Sequence, residues 1–331
     1  MTEAIICRSL SALREAQIPA FRDFSLAPET TFRIGGPADL AVKPENEAQL
    51  LAALRILKQE NVPFYPVGKC SNLLFDDAGF RGAVVFCGGL HGISYAGDAL
   101  PVSGRTPVPD APVRRGKLTA ACGESLTGLA RYAGEIGFEG LGFAFGIPGS
   151  VGGGVCMNAG AYGGEIAGVL ESCRLLHSGT LGITEKSNAE MDFSYRHSFV
   201  TDHPEYLVLS ATFASYLTPD RAVLQERMAN IMEQRRRKQP LEYPSAGSVF
   251  KRPRPDVYMG KLIEEAGFKG TSVGGAQVSE KHAGFIVNAG GATAADVKAL
   301  VRRIQDRIFE LHGFVPACEI RFIPADPAEN E

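Results

Sequence analysis

The stretch GFEGLGFAFGIPGSVGGGVCMNAGAYGGEIAG, residues 137–168, holds 12 of the chain's 38 glycines in 32 positions. Glycine has more backbone freedom to lose on ordering than any other residue, so a regular helix or strand of this composition is disfavoured. The stretch is expected to be a loop whose bare backbone lies against a ligand, with tight turns accounting for part of the glycine. Upstream, VGKCSNLLF at 67–75 follows a predicted strand and sets Gly68, Ser71 and Asn72 where backbone N–H groups can converge on a diphosphate. Neither segment carries a G-x-x-x-x-G-K-[ST] or G-x-G-x-x-G signature. Alone, 67–75 is equally an ordinary polar turn. Taken together, the two segments are better explained by a nucleotide held between separate backbone-rich loops.

Working outward, period-2 apolar stretches rich in β-branched and aromatic residues predict strands at 39–43, 63–67, 82–86, 117–121, Leu170–His177 and 206–216. Helical spacing predicts helices at 47–58 and 124–136, the second opened by Glu124 and Ser125 and stopped by Gly137. The proline-interrupted segment 97–116 reads as a long surface loop leaving a hairpin. Beyond 216 helices are predicted at 220–238 and Ala294–His312, with short strands near Gln277 and at 283–287 and a last strand at 318–323. The basic helix end Arg235, Arg236, Arg237 and Lys238 suits the helix dipole by itself, or an anion.

With 331 residues, 45% hydrophobic and 21% charged, the chain has material for two or three globular domains. A formal charge of -3 gives no broad basic field for nucleic acid or an anionic membrane. Seven cysteines without a C-x-x-C pair point to reduced thiols rather than a disulfide framework or zinc site, and the six histidines are not spaced as metal ligands. The N-terminal residues lack a signal-peptide core and no run of about 18 apolar residues occurs, so a cytoplasmic chain with no membrane span is expected.

Three polar clusters remain: 194–198 (SYRHS), 245–248 (SAGS) followed by Lys251 and Arg252, and Glu319 with Arg321. Each alone reads as solvated or capping residues. In order along the chain, however, TFRIGGPAD (31–39), VGKCSNLLF, GIPGSVGG with NAGAYGGEI (146–166), FSYRHSF (193–199), PSAGSVFKRP (244–253), VGGAQVSEKHAGFIVN (273–288) and CEIRFI (318–323) form a pattern. It resembles that of the UDP-N-acetylenolpyruvoylglucosamine reductases, flavoenzymes of bacterial peptidoglycan precursor synthesis. The resemblance runs from about 31 to 323.

That resemblance implies an α+β protein: an FAD-binding fold of the vanillyl-alcohol oxidase type plus a C-terminal α+β substrate-binding domain. The expected division is 1–216 for FAD binding, in subdomains of about 1–88 and 89–216, then 217–318 for substrate, with 319–331 a last strand and tail returning to the first region. It implies non-covalent FAD, with Val67, Gly68, Lys69, Cys70, Ser71, Asn72 and Leu73 around the diphosphate. Pro148, Gly149, Ser150, Gly152, Gly153, Asn158, Gly160, Ala161 and Ile166 would line the flavin. Cys70 stands where relatives often have Gly, so a position needing φ > 0 would be strained there.

The implied reaction uses NADPH to reduce FAD, and then a UDP-sugar enolpyruvyl ether to the lactyl ether of UDP-N-acetylmuramate. Arg196 would hold the substrate carboxylate, Ser248 would deliver the proton, and Glu319 would complete the site in a protonated or hydrogen-bonded state. Tyr162, Tyr195, Lys238, Lys251, His282 and Arg321 would contact the substrate. A monomer is expected, of the family type lacking an added tyrosine-bearing loop, because the interval 198–220 is short. Two rivals are weighed: an FAD oxidase or dehydrogenase of the same fold acting on an alcohol or sugar acid, and a non-catalytic nucleotide-binding protein.

Overall fold

A computed structural model describes residues 1–98 and 114–325. Most of the loop expected at 97–116, and the tail 326–331, lie outside the described residues. The strands flanking that loop, Ile93–Gly97 and Arg114–Ala121, pair as an antiparallel hairpin.

The first sheet runs in the order Ala20–Ser25, Pro37–Val42, Phe80–Phe86, Phe64–Val67, its first pair antiparallel and the rest parallel. The second sheet is antiparallel, in the order Ile183–Ser187, Leu170–His177, Tyr206–Leu217, Arg114–Ala121, Ile93–Gly97. One apolar core joins them, from Leu40 and Leu54 of the first unit to Leu129, Leu175 and Phe213 of the second. The helix Leu126–Ile136 closes this core. Its Ser125 cap accepts a hydrogen bond from Gly128 N, and Gly137 ends it at φ +83, where an L-residue would be strained.

A third, antiparallel sheet of Ser245–Ser248, Phe285–Asn288, Ala276–Val278 and Ser272–Val273 has its own core beneath the helix Ala294–His312. The Thr293 capping box and the left-handed Gly313 fix that helix at both ends. The chain then crosses back: Arg321–Ile323 pairs in parallel with Leu73–Phe75. Among the described residues no helix is long and apolar enough to cross a membrane, and no group of three or more His, Cys, Asp or Glu is placed to hold a metal.

The glycine-rich stretch is more ordered than its composition suggests. It contains the helix Val151–Cys156, with glycines at 152, 153 and 154, and the short strand pair Gly160–Ala161 and Gly164–Glu165. Tertiary packing explains the helix: a methyl group on Gly154 would stand 2.8 Å from Leu126 Cδ1, and one on Gly152 2.9 Å from Cys122 Cβ. Close approach to the neighbouring helix and strand offsets the entropy that glycine loses.

Candidate functional site

The two backbone-rich loops meet. A methyl on Gly68 would lie 2.2 Å from Ser150 Oγ, and one on Gly149 3.8 Å from Ser71 Oγ. Ser150 in turn caps the helix Val151–Cys156 by accepting from Gly153 N. A glycine-lined seam, with no room for a Cβ at Gly68, suits a dinucleotide that must touch backbone amides, so the residues fit FAD.

Cys70 is buried and sits at φ +48, the strained left-handed conformation foreseen for a residue at a glycine-favouring position. Burial pushes its thiol up to about 12. Lys69, Pro148 and Gly153 are exposed on this surface, while Val67 and Ile166 bury their side chains in the core, leaving only their backbone to face a ligand.

Asn158, fully buried at φ +41, uses its amide to tie loops together. Its Nδ2 donates to Ser194 O at 2.9 Å, and its Oδ1 accepts from Ala167 N at 2.9 Å. Ser194 and His197 close a turn by reciprocal backbone hydrogen bonds at 3.2 Å, with Tyr195 and Arg196 at its tip. Arg196 is held at φ +57, its guanidinium 5.0 Å from the exposed Tyr195 ring. Arg196 Nε lies 2.5 Å from Glu319 Oε1, and Nη2 donates to Gly160 O at 3.3 Å. One guanidinium thus bridges the glycine-rich loop and the last segment of the chain.

Glu319 is fixed through its backbone: its N donates to Val249 O at 2.7 Å, and its carbonyl accepts from Asn72 Nδ2 at 2.9 Å. Ser248 precedes Val249 and pairs with Phe285, beside Gly247 at φ +80. Arg196, Glu319 and Ser248 are therefore gathered from three distant segments. Burial holds the Glu319 carboxyl above its usual range, outweighing Arg196 and the cations Lys251 and Arg252 that pull it down.

The other expected substrate contacts divide. Lys251 is half-buried near Glu319, and Arg321 lies close to Tyr65, opposing the burial that pushes its hydroxyl up. Tyr162 is exposed at φ +51 beside Arg235. His282 accepts from Gly284 N at 3.0 Å within its own turn, and burial lowers its pKa. At the basic helix end Lys238 points outward with Arg236 and Arg237, whereas Arg235 is 8% exposed and packs inward on Gly146. The resemblance implies Lys238 as a substrate contact, and the sequence leaves open which of the four cations turns inward. The helix phase that selects Arg235 is set by which face meets 146, a tertiary fact.

A family model described as an FAD binding domain matches residues 38–177, and one described as the C-terminal domain of UDP-N-acetylenolpyruvoylglucosamine reductase matches 239–323. Proteins named UDP-N-acetylenolpyruvoylglucosamine reductase are similar over nearly the whole chain. That of Caldicellulosiruptor bescii is 42% identical over 312 residues, 94% of this chain and 93% of the relative. That of Clostridium botulinum is 39% identical over 302 residues, 91% of each. The crystal structure of the Thermus caldophilus reductase superposes with a TM-score of 0.70 at 30% identity, covering 92% of this chain and 98% of that one.

Proposed function

The chain belongs to the UDP-N-acetylenolpyruvoylglucosamine reductase family, and from that premise we propose that Arg196, Ser248 and Glu319 carry its chemistry. The enzyme is an FAD-dependent oxidoreductase that reduces the enolpyruvyl ether of UDP-N-acetylglucosamine to UDP-N-acetylmuramate, with NADPH as donor. Bound FAD supplies the hydride that adds to the terminal carbon of the enolpyruvyl group. Gly68, Cys70 to Leu73, Gly149, Ser150, Gly153 and the backbone of 158–161 would hold it.

Hydride addition leaves negative charge on the adjacent carbon, delocalised into the carboxylate. The planar fork of Arg196 suits that enolate-like group and stabilises it where charge develops. A substrate carboxylate arriving at Arg196 also brings a second anion to Glu319. Since burial already favours its protonated form, Glu319 takes up a proton and donates a hydrogen bond to the substrate carboxylate, so that like charges are not forced together. Ser248 gives its hydroxyl proton to the carbanion, a far stronger base than serine's own alkoxide. Lys251 or water replaces that proton.

The observation that supports this reading is the Arg196 to Glu319 contact at 2.5 Å on a carboxylate anchored one residue from Ser248 on the facing backbone. In Ser248→Ala, flavin should stay bound and be bleached by NADPH, while turnover of the enolpyruvyl sugar nucleotide falls roughly 10²–10⁴-fold. Loss of flavin, or surviving turnover, would remove Ser248 from the role of proton donor. The same reading divides the chain at about 216 into FAD-binding and substrate-binding parts, with 319–323 returning to the first. It takes the protein as cytoplasmic and monomeric.

A further inference from the structure

Asn158 follows the helix Val151–Cys156 in the glycine-rich segment, yet its side chain reaches no surface: the residue is fully buried. Its backbone sits at φ +41, a conformation asparagine adopts more readily than most residues. Its Nδ2 donates to Ser194 O and its Oδ1 accepts from Ala167 N, so the amide has a protein partner at each end. Ala167 is itself braced, its carbonyl accepting from Asn188 Nδ2 at 2.8 Å. The amide thus spans from a braced turn to the carbonyl of Ser194. That same carbonyl accepts from His197 N and closes the turn carrying Arg196.

The far side of the turn is tethered to the same place. Ser198 Oγ and Thr201 Oγ1 both donate to Cys156 O, at 2.8 and 3.0 Å. Residues 156–158 therefore grip the chain before and after Arg196. Arg196 has φ +57, a left-handed conformation costly for a long side chain, which persists only where the surroundings impose it. A guanidinium that must fork onto a carboxylate is sensitive to its placement, because a shift of about 1 Å can cost 10²-fold in rate.

We propose that Asn158 is a positioning residue for reduction of the enolpyruvyl group: through Ser194 it sets Arg196 where the guanidinium meets the substrate carboxylate. Its side chain takes no part in holding the flavin. The inference rests on the assignment of Arg196 to that carboxylate.

Asn158→Gly keeps the left-handed backbone and removes both amide hydrogen bonds. In the FAD-loaded variant, reoxidation of reduced flavin by the enolpyruvyl sugar nucleotide should slow roughly 10- to 10²-fold more than reduction by NADPH. Because the amide acts through the guanidinium, the two changes should not add. In an Arg196→Met background, Asn158→Gly should slow reoxidation by less than about twofold. A residue that only stabilises the fold would carry its full cost into both backgrounds. Stopped-flow absorbance of the two half-reactions reads all of these proteins.

Should Asn158→Gly not fold, Asn158→Ser, too short to span both partners, carries the same expectation. Equal slowing of the two half-reactions, or the full cost repeated in the Arg196→Met background, overturns the proposal. So does weakened FAD affinity with normal reoxidation at saturating flavin, which makes Asn158 a cofactor residue and leaves the functional reading standing. Wild-type protein whose reduced flavin the sugar nucleotide does not reoxidise would instead sink the functional reading itself.

Discussion

Arg196 and Glu319 meet with Nε 2.5 Å from Oε1 although 123 positions separate them in the chain. The contact exists because Arg321–Ile323 returns to pair with Leu73–Phe75, while the Asn158 amide holds the turn that carries Arg196. A lysine at 196 keeps the charge but offers a point cation in place of a planar fork. Arg196→Lys should leave flavin reduction by NADPH intact and slow reoxidation by the enolpyruvyl substrate about 10²-fold, as resolved by stopped-flow absorbance of the two half-reactions. Equal slowing of both halves would mean that the turn, not the guanidinium, had been disturbed.

Glu319 makes stability depend on pH in an unusual direction for a carboxylate. Burial raises its folded pKa above the ordinary 4.5, so between that value and the raised one the folded state binds more protons than the unfolded state. Stability is fully present below that window and falls as pH rises through it. Asp76 has the opposite sign: the Ala78 N–H and the Lys298 ammonium lower its pKa, so its contribution is present above the unfolded value and is lost as pH falls. Melting of the protein without substrate should show Glu319→Gln gaining on wild type as pH rises from 4.5. Asp76→Asn should be destabilised near neutrality, with the gap closing in acid. A Glu319→Gln difference that is flat with pH would mean that burial does not raise this carboxyl.

The thiols should sort by environment. Cys7 is exposed, Cys156 and Cys318 are half-buried, and Cys70, Cys87 and Cys173 are buried, with burial raising Cys70 and Cys173 and the Cys122 contact leading for Cys87. The thiolate is the reactive form. Alkylation of the folded protein at pH 8, followed by mass spectrometry, should label Cys7 first, and Cys70, Cys87 and Cys173 only after unfolding. Labelling of Cys70 at the rate of Cys7 would show that the diphosphate loop opens in solution.

Local rules made the helices readable where caps and periodicity agreed. Ala294–His312 forms over its predicted span because Thr293 and Gly313 are chemical stops. The helix Glu3–Glu15 carries the same local signal, burying Ile6, Ser9 and Leu13 on one face. The helix within 151–156 could not be read from composition, since the close contacts that favour it come from Leu126 and Cys122. The site shows the same division. Its motifs are local, but the meeting of Ser248, Arg196 and Glu319 depends on a strand pairing between residues 73–75 and 321–323 that no window of sequence contains. The inward turn of Arg235 depends on helix packing in the same way.

Gly68 and Gly153 separate what the fold requires from what the cofactor requires. Both border the seam between the two loops, but a methyl at 68 would stand 2.2 Å from Ser150 Oγ, while one at 153 meets the same oxygen at an ordinary 3.5 Å. Gly153 is also exposed in a helix, where alanine gains about 1 kcal/mol over glycine. Gly68→Ala should therefore force the loops apart, lowering thermal stability of the cofactor-free protein and weakening FAD binding together. Gly153→Ala should keep or raise stability without cofactor and weaken FAD binding alone, because its methyl occupies the face along which the cofactor's backbone contacts run. Flavin fluorescence titration beside melting of the apoprotein reads both quantities. Unimpaired FAD binding in Gly153→Ala would place the cofactor on another face of the helix Val151–Cys156.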